Sequence, residues 1–167
     1  MYSNDFHEFP QILLRLGAAM LLGGAIGANR DLHHKPAGLR VLALVSVGSA
    51  LVTMLMLNAS GRQPTMTYDG LSRVIQGILQ GIGFLGAGVI MHTQSRYQVH
   101  GMTTAASIWV TSALGVACGM GLWAHTLAAF FVSVIVLTLG RYIEKTILRL
   151  SPLPKDEQTH GPPEHSL

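Results

Sequence analysis

The residues of this chain best suited to chemistry are its single cysteine, Cys118, its eight histidines and a glycine-rich octet at 81–88. A cysteine nucleophile needs a base beside it, and Cys118 lies in an apolar stretch with no adjacent histidine. Being alone, it also excludes a disulfide framework and a cysteine-based metal cluster. No two histidines stand three or four residues apart, and the neighbours His33 and His34 would diverge on a helix and converge only in a loop. Transition-metal binding is therefore weakly supported. The octet, Gly81-Ile82-Gly83-Phe84-Leu85-Gly86-Ala87-Gly88, reads as the dinucleotide fingerprint G-x-G-x-x-G. That fingerprint needs a preceding strand and an acid about twenty residues later, whereas residues 101–140 contain no Asp, Glu, Lys or Arg at all. The residues point to no enzyme, no resident metal and no cofactor.

The remaining candidates are charges at the ends of apolar runs. Arg30, Asp31 and Arg40 lie close together in sequence, with Lys35 between them. Such a boundary cluster binds lipid phosphate, pairs internally, or docks a ligand or partner. Asp69 and Arg73 are four residues apart, the spacing at which an acid caps a helix and pairs with the base one turn on, worth about 0.3–1 kcal/mol. Arg15, a few residues into an apolar run, costs least if it snorkels to the interface.

The elements that must position these groups follow from composition. About half of the 167 residues (49%) are apolar and only 11% are charged, against about a quarter in soluble domains. Eleven basic against eight acidic residues, scattered along the chain, make no nucleic-acid footprint. A membrane span needs roughly 20 apolar residues, and five stretches qualify: 12–28, 39–57, 71–91, 103–119 and 122–140. The uncharged run 101–140 is too long for one crossing, and Gly119-Met120-Gly121 offers a turn that makes it a helical hairpin. The sequence thus predicts an all-α integral membrane protein, a compact bundle of five transmembrane helices.

With five spans, one side collects Arg30, Lys35, Arg40, Arg96, Arg141, Lys145, Arg149 and Lys155, and the other keeps Arg15, Arg62 and Arg73. The positive-inside rule then puts the N-terminus outside and the C-terminus in the cytoplasm. Tyr68, Tyr97, Trp123 and Tyr142 fall at span ends, as an aromatic belt requires. Acidic Asp5 and Glu8 precede the first run, which does not read as a cleaved signal. The transmembrane domain is expected over 1–150, with a disordered cytoplasmic tail over 151–167 that opens on Ser151-Pro152-Leu153-Pro154.

Glycine pairs at 23/27, 77/81 and 115/119 permit close helix approach in lipid. Gly81, Gly83, Gly86 and Gly88 fit either a helix packed tightly by its neighbours or a kinked, partly unwound segment whose carbonyls line a path. Thr104, Ser107 and Thr111, continued by Gly115 and Gly119, share one small, partly polar face. Their hydroxyls either bond helix carbonyls and neighbouring helices or line a hydrophilic groove.

Several strings resemble the MgtC/SapB family of bacterial membrane proteins. They are Ala37-Gly38-Leu39-Arg40, the octet with Val89-Ile90, and Gly101-Met102-Thr103-Thr104-Ala105-Ala106-Ser107-Ile108-Trp109. Gly23-Gly24-Ala25-Ile26-Gly27 and Gly115-Val116-Ala117-Cys118-Gly119-Met120-Gly121 are similar to it too, and the likeness runs in order over about residues 12–140. Where the family commonly has Gly-x-Glu-Arg-Glu, this chain has Gly27-Ala28-Asn29-Arg30-Asp31 and so lacks one carboxylate. Longer family members carry a soluble ACT-like C-terminal domain, in place of which a short tail is expected here. The resemblance implies a multi-pass inner-membrane protein tied to low Mg²⁺, acid resistance and survival inside host cells. It would modulate other membrane machinery, the F-type ATP synthase included. The glycine faces would pack the bundle or a second copy, and the basic cytoplasmic loops would meet the lipid bilayer or a partner. A Mg²⁺ or proton transporter with a path along the third and fourth helices is the rival reading.

Overall fold

A computed structural model describes residues 5–60, 64–91, 94–95, 98–99 and 101–150. In chain order the elements are α1 (Asp5–Asp31), α2 (Leu39–Ala59), α3 (Pro64–Met91), β1 (Gln94–Ser95), β2 (Gln98–Val99), α4 (Met102–Met120) and α5 (Trp123–Leu150). The two short strands pair antiparallel, Gln94 opposite Val99 and Ser95 opposite Gln98. All five helices are long and apolar enough to cross a membrane, over Glu8–Asp31, Leu39–Ala59, Tyr68–Ile90, Met102–Met120 and Trp123–Gly140. Each coincides with a run expected from the sequence, so the chain is an all-helical, multi-pass membrane protein. The expected tail lies outside the described residues.

The chain divides into two units, Met1–Ser133 and Val134–Leu167. In the first, α2 packs against α1 and α4, and α4 packs in addition against α1 and α3. In the second, α5 continues past the apolar run, its Thr138 and Thr146 hydroxyls donating to the carbonyls of Val134 (2.7 Å) and Tyr142 (2.9 Å) one turn back.

Half of the α4 span is buried, more than in any other, which makes α4 the helix that organises the first unit. It ends where the sequence requires. Gly121 takes φ +76°, a left-handed conformation that a side chain would strain. The amides of Gly121 and Leu122 then donate back to the carbonyls of Cys118 (2.9 Å) and Ala117 (3.0 Å), closing the helix before α5 begins at Trp123.

The α1–α2 junction is tight for a different reason. A Cβ on Gly27 would stand 2.5 Å from Leu39 Cα and 2.8 Å from the Gly38 carbonyl oxygen. Only glycine lets the two backbones approach so closely. The intervening turn contains two non-glycine residues at positive φ, His34 (50°) and Ala37 (59°), conformations that persist only when the surroundings hold them.

Candidate functional site

What holds that turn is Arg30. It is 4% exposed, in the last turn of α1, and its guanidinium faces inward. Nε donates to the Ala37 carbonyl (3.3 Å) and Nη2 to the Pro36 carbonyl (3.1 Å), bracing the turn. On the other side Nη1 donates to Ser107 Oγ (2.9 Å) and toward the Thr103 carbonyl (3.4 Å), while Nη2 also donates to Thr104 Oγ1. One planar fork thus ties α1, the α1–α2 turn and the start of α4 together, a task suited to arginine's rigid set of donors. A charge at this depth must be hydrogen-bonded to be tolerated. Asp31, by contrast, is exposed and accepts the Leu39 amide proton at Oδ2 (2.9 Å), capping α2 from across the turn.

At the opposite end of α4 a second arginine closes the same pair of helices. Arg15 of α1 donates from Nη1 to the Gly119 carbonyl (2.8 Å), one of the last carbonyls of α4. A cation is stabilised there by the helix dipole. Since Arg30 meets the first turn of α4 and Arg15 its last, α1 runs antiparallel to α4.

Between the two arginines runs a small polar seam. Ser46, Ser49 and Thr53 of α2 and Thr104, Ser107, Thr111 and Ser112 of α4 are all buried. Ser49 and Ser112 share a hydrogen bond across the helices (2.9 Å), and Thr53 and Ser107 donate to the carbonyls of Ser49 and Thr103 (both 2.7 Å). Glycines make the approach possible. A Cβ on Gly115 would collide with the Ser46 carbonyl, one on Gly119 would come within 2.6 Å of the Ala50 carbonyl oxygen, and one on Gly23 within 2.7 Å of Ser46 Cβ. Among the described residues Ser46 Oγ and Thr111 Oγ1 are buried without a hydrogen-bond partner.

The structure distributes the expected site residues unevenly. Of the boundary cluster, Arg30 turns inward, Asp31 caps α2 and Arg40 is exposed, so the three do not form one group. Arg30's contacts make it a brace between α1, the α1–α2 turn and α4. Asp69 and Arg73 are both exposed on α3, and no ion pair or hydrogen bond joins them among the described residues. Thr104, Ser107 and Thr111 do share the buried face. In the octet α3 is continuously helical, without an unwound segment. Only Gly86 is packed, a Cβ there standing 3.3 Å from Ala105 Cβ, while Gly81, Gly83 and Gly88 face open space. The glycines that stand closest to a neighbouring helix's backbone are Gly23 and Gly27 of α1 and Gly115 and Gly119 of α4.

Sequence reasoning missed the inward turn of Arg30 and the α2 half of the seam. The signal for the second was present, since Ser46, Ser49 and Thr53 recur at three and four residues in an otherwise apolar helix. Nothing local distinguishes an arginine that braces a turn from one that meets lipid.

Comparison with known proteins adds the following. Residues 16–146 match the MgtC family. The chain is 43% identical over 130 residues to Protein SrpB of Synechococcus elongatus, covering 74% of this chain and 71% of that protein. It is 40% identical over 146 residues to Protein MgtC of Salmonella typhimurium, covering 87% of this chain and 58% of that protein. It is 37% identical over 164 residues to Protein SapB of Bacillus subtilis, covering 90% and 70%. The chain therefore spans little more than half the length of MgtC. No solved structure matches it.

Proposed function

The chain belongs to the MgtC family, is a multi-pass protein of the bacterial inner membrane, and, we propose, is a non-enzymatic modulator of another membrane complex. Through that complex it serves ion homeostasis under low Mg²⁺, acid stress or intracellular growth, with the F-type ATP synthase as a candidate partner. The observation that carries this reading is the use of the buried polar groups of α4. Thr104 and Ser107 hold the Arg30 guanidinium, so the mouth of the polar face is closed by a fixed positive charge. That charge opposes a passing Mg²⁺ or proton and suits a packed brace. By the positive-inside reading this end is cytoplasmic, where the basic residues near it meet lipid headgroups or a partner.

The test is ATP-driven proton pumping in inverted inner-membrane vesicles made with and without the protein. A modulator of the synthase changes the pumping rate at constant synthase content. Unchanged pumping removes that partner.

One observation favours an ion path, although it moves that path from α3 and α4 to the seam between α2 and α4. Among the described residues Ser46 Oγ of α2 and Thr111 Oγ1 of α4 are buried without hydrogen-bond partners, which leaves oxygen lone pairs in the seam for a passing ion or proton carrier. Flux measurements on a Thr111→Val variant separate the two readings, because that change leaves helix packing intact.

A further inference from the structure

α3 presents two unlike faces. Leu71, Ile82 and Gly86 are buried on one. On the other, Arg73, Gly77, Gln80, Phe84 and Ala87 are all exposed, and they recur at four, three, four and three residues. That is the spacing of a two-helix seam. The row is not one that lipid should cover. Gln80 lies one residue from the middle of the Tyr68–Ile90 span, too deep to reach either interface. Its carboxamide, with two donors and an acceptor, makes no hydrogen bond among the described residues. Burying such a group in hydrocarbon unpaired is costly. Phe84, 82% exposed, stands one turn away in the same row.

The geometry points to a second copy of this chain as the occupant, with α3 packing on α3 about a two-fold axis along the membrane normal. Copies inserted the same way present parallel helices, so each residue in the row meets its own counterpart. The row is self-complementary in that arrangement. A carboxamide both donates and accepts, and two copies of Gln80 satisfy each other. Asp69 and Arg73, without an ion pair among the described residues, lie one turn apart, so that Asp69 of each copy reaches Arg73 of the other in two reciprocal ion pairs. Gly77, Gly81 and Gly88, where a Cβ would meet nothing within 4 Å, let the helices close. A polar residue in such a seam also fixes register, which Gln80 does here.

Oxidative crosslinking in native membranes tests this with the full chain, the buried Cys118 serving as internal control. Phe84→Cys should give a disulfide-linked dimer, whereas Leu44→Cys, 72% exposed on α2, should not. Association measured by single-molecule photobleaching in lipid vesicles should weaken about tenfold in Gln80→Leu, and Gln80→Asn should retain most of it. Both positions are exposed, so folding survives the changes. The proposal is overturned if Phe84→Cys crosslinks no better than Leu44→Cys, crosslinks only within one chain or to a different protein, or if Gln80→Leu associates as tightly as the wild type.

Discussion

Replacing Arg30 by methionine tests the brace. Methionine keeps most of the side-chain volume and removes the five hydrogen bonds to the carbonyls of Pro36, Ala37 and Thr103 and the hydroxyls of Thr104 and Ser107. In water each bond to a charged donor would be worth about 1.5–3 kcal/mol. Within membranes the unfolded reference state also finds partners, and the measured average is near 0.6 kcal/mol per bond. Five such bonds give a destabilisation of about 3 kcal/mol. Arg30→Lys, a point charge with three donors in place of a planar fork, should lose about half of that. The assay is equilibrium unfolding in mixed micelles, followed by the fluorescence of Trp109 and Trp123. Because His34 and Ala37 sit at positive φ under this brace, hydrogen exchange at residues 32–38 should rise in both variants. An Arg30→Met protein within about 0.5 kcal/mol of wild type would refute the reasoning.

Three further outcomes follow from the packing. Gly115→Ala should destabilise by about 1–3 kcal/mol, because its Cβ meets the Ser46 carbonyl, a backbone atom that cannot rotate away. Gly83→Ala, facing open space, should be neutral or stabilising by up to about 1 kcal/mol in the same unfolding assay. Thr111→Val removes a buried hydroxyl that has no partner among the described residues. It should leave stability unchanged or raise it by up to about 1 kcal/mol, measured as a shift in the unfolding midpoint. Asp31→Ala should cost about 0.5–2 kcal/mol through loss of the Leu39 amide cap, with faster hydrogen exchange at the start of α2.

The five helices were legible because each span is a long apolar run with at most one charge, and the hairpin because Gly119-Met120-Gly121 interrupts the longest uncharged stretch. Gly121 is left-handed as such a turn requires. The polar face of α4 was legible from its three- and four-residue spacing, since periodicity along one helix needs no knowledge of its neighbours. What could not be read was which neighbour each face meets. Gly81, Gly83 and Gly88 form the densest glycine string, yet the closest approaches to a neighbouring helix's backbone belong to Gly23, Gly27, Gly115 and Gly119. Glycine permits approach without requiring it, and the partner helix is set by tertiary packing. Arg30 and Arg40 looked equivalent as boundary charges. Only the position of Thr104 and Ser107, more than seventy residues on, decides that Arg30 turns inward.

If the buried polar face of α4 braces a modulator and does not conduct, the decisive readout is Mg²⁺ and proton flux into proteoliposomes containing the folded, correctly inserted protein, against empty vesicles and against Thr111→Val. Flux should equal that of empty vesicles for both proteins. Saturable flux that falls in Thr111→Val would contradict the brace and make the seam between α2 and α4 a permeation path.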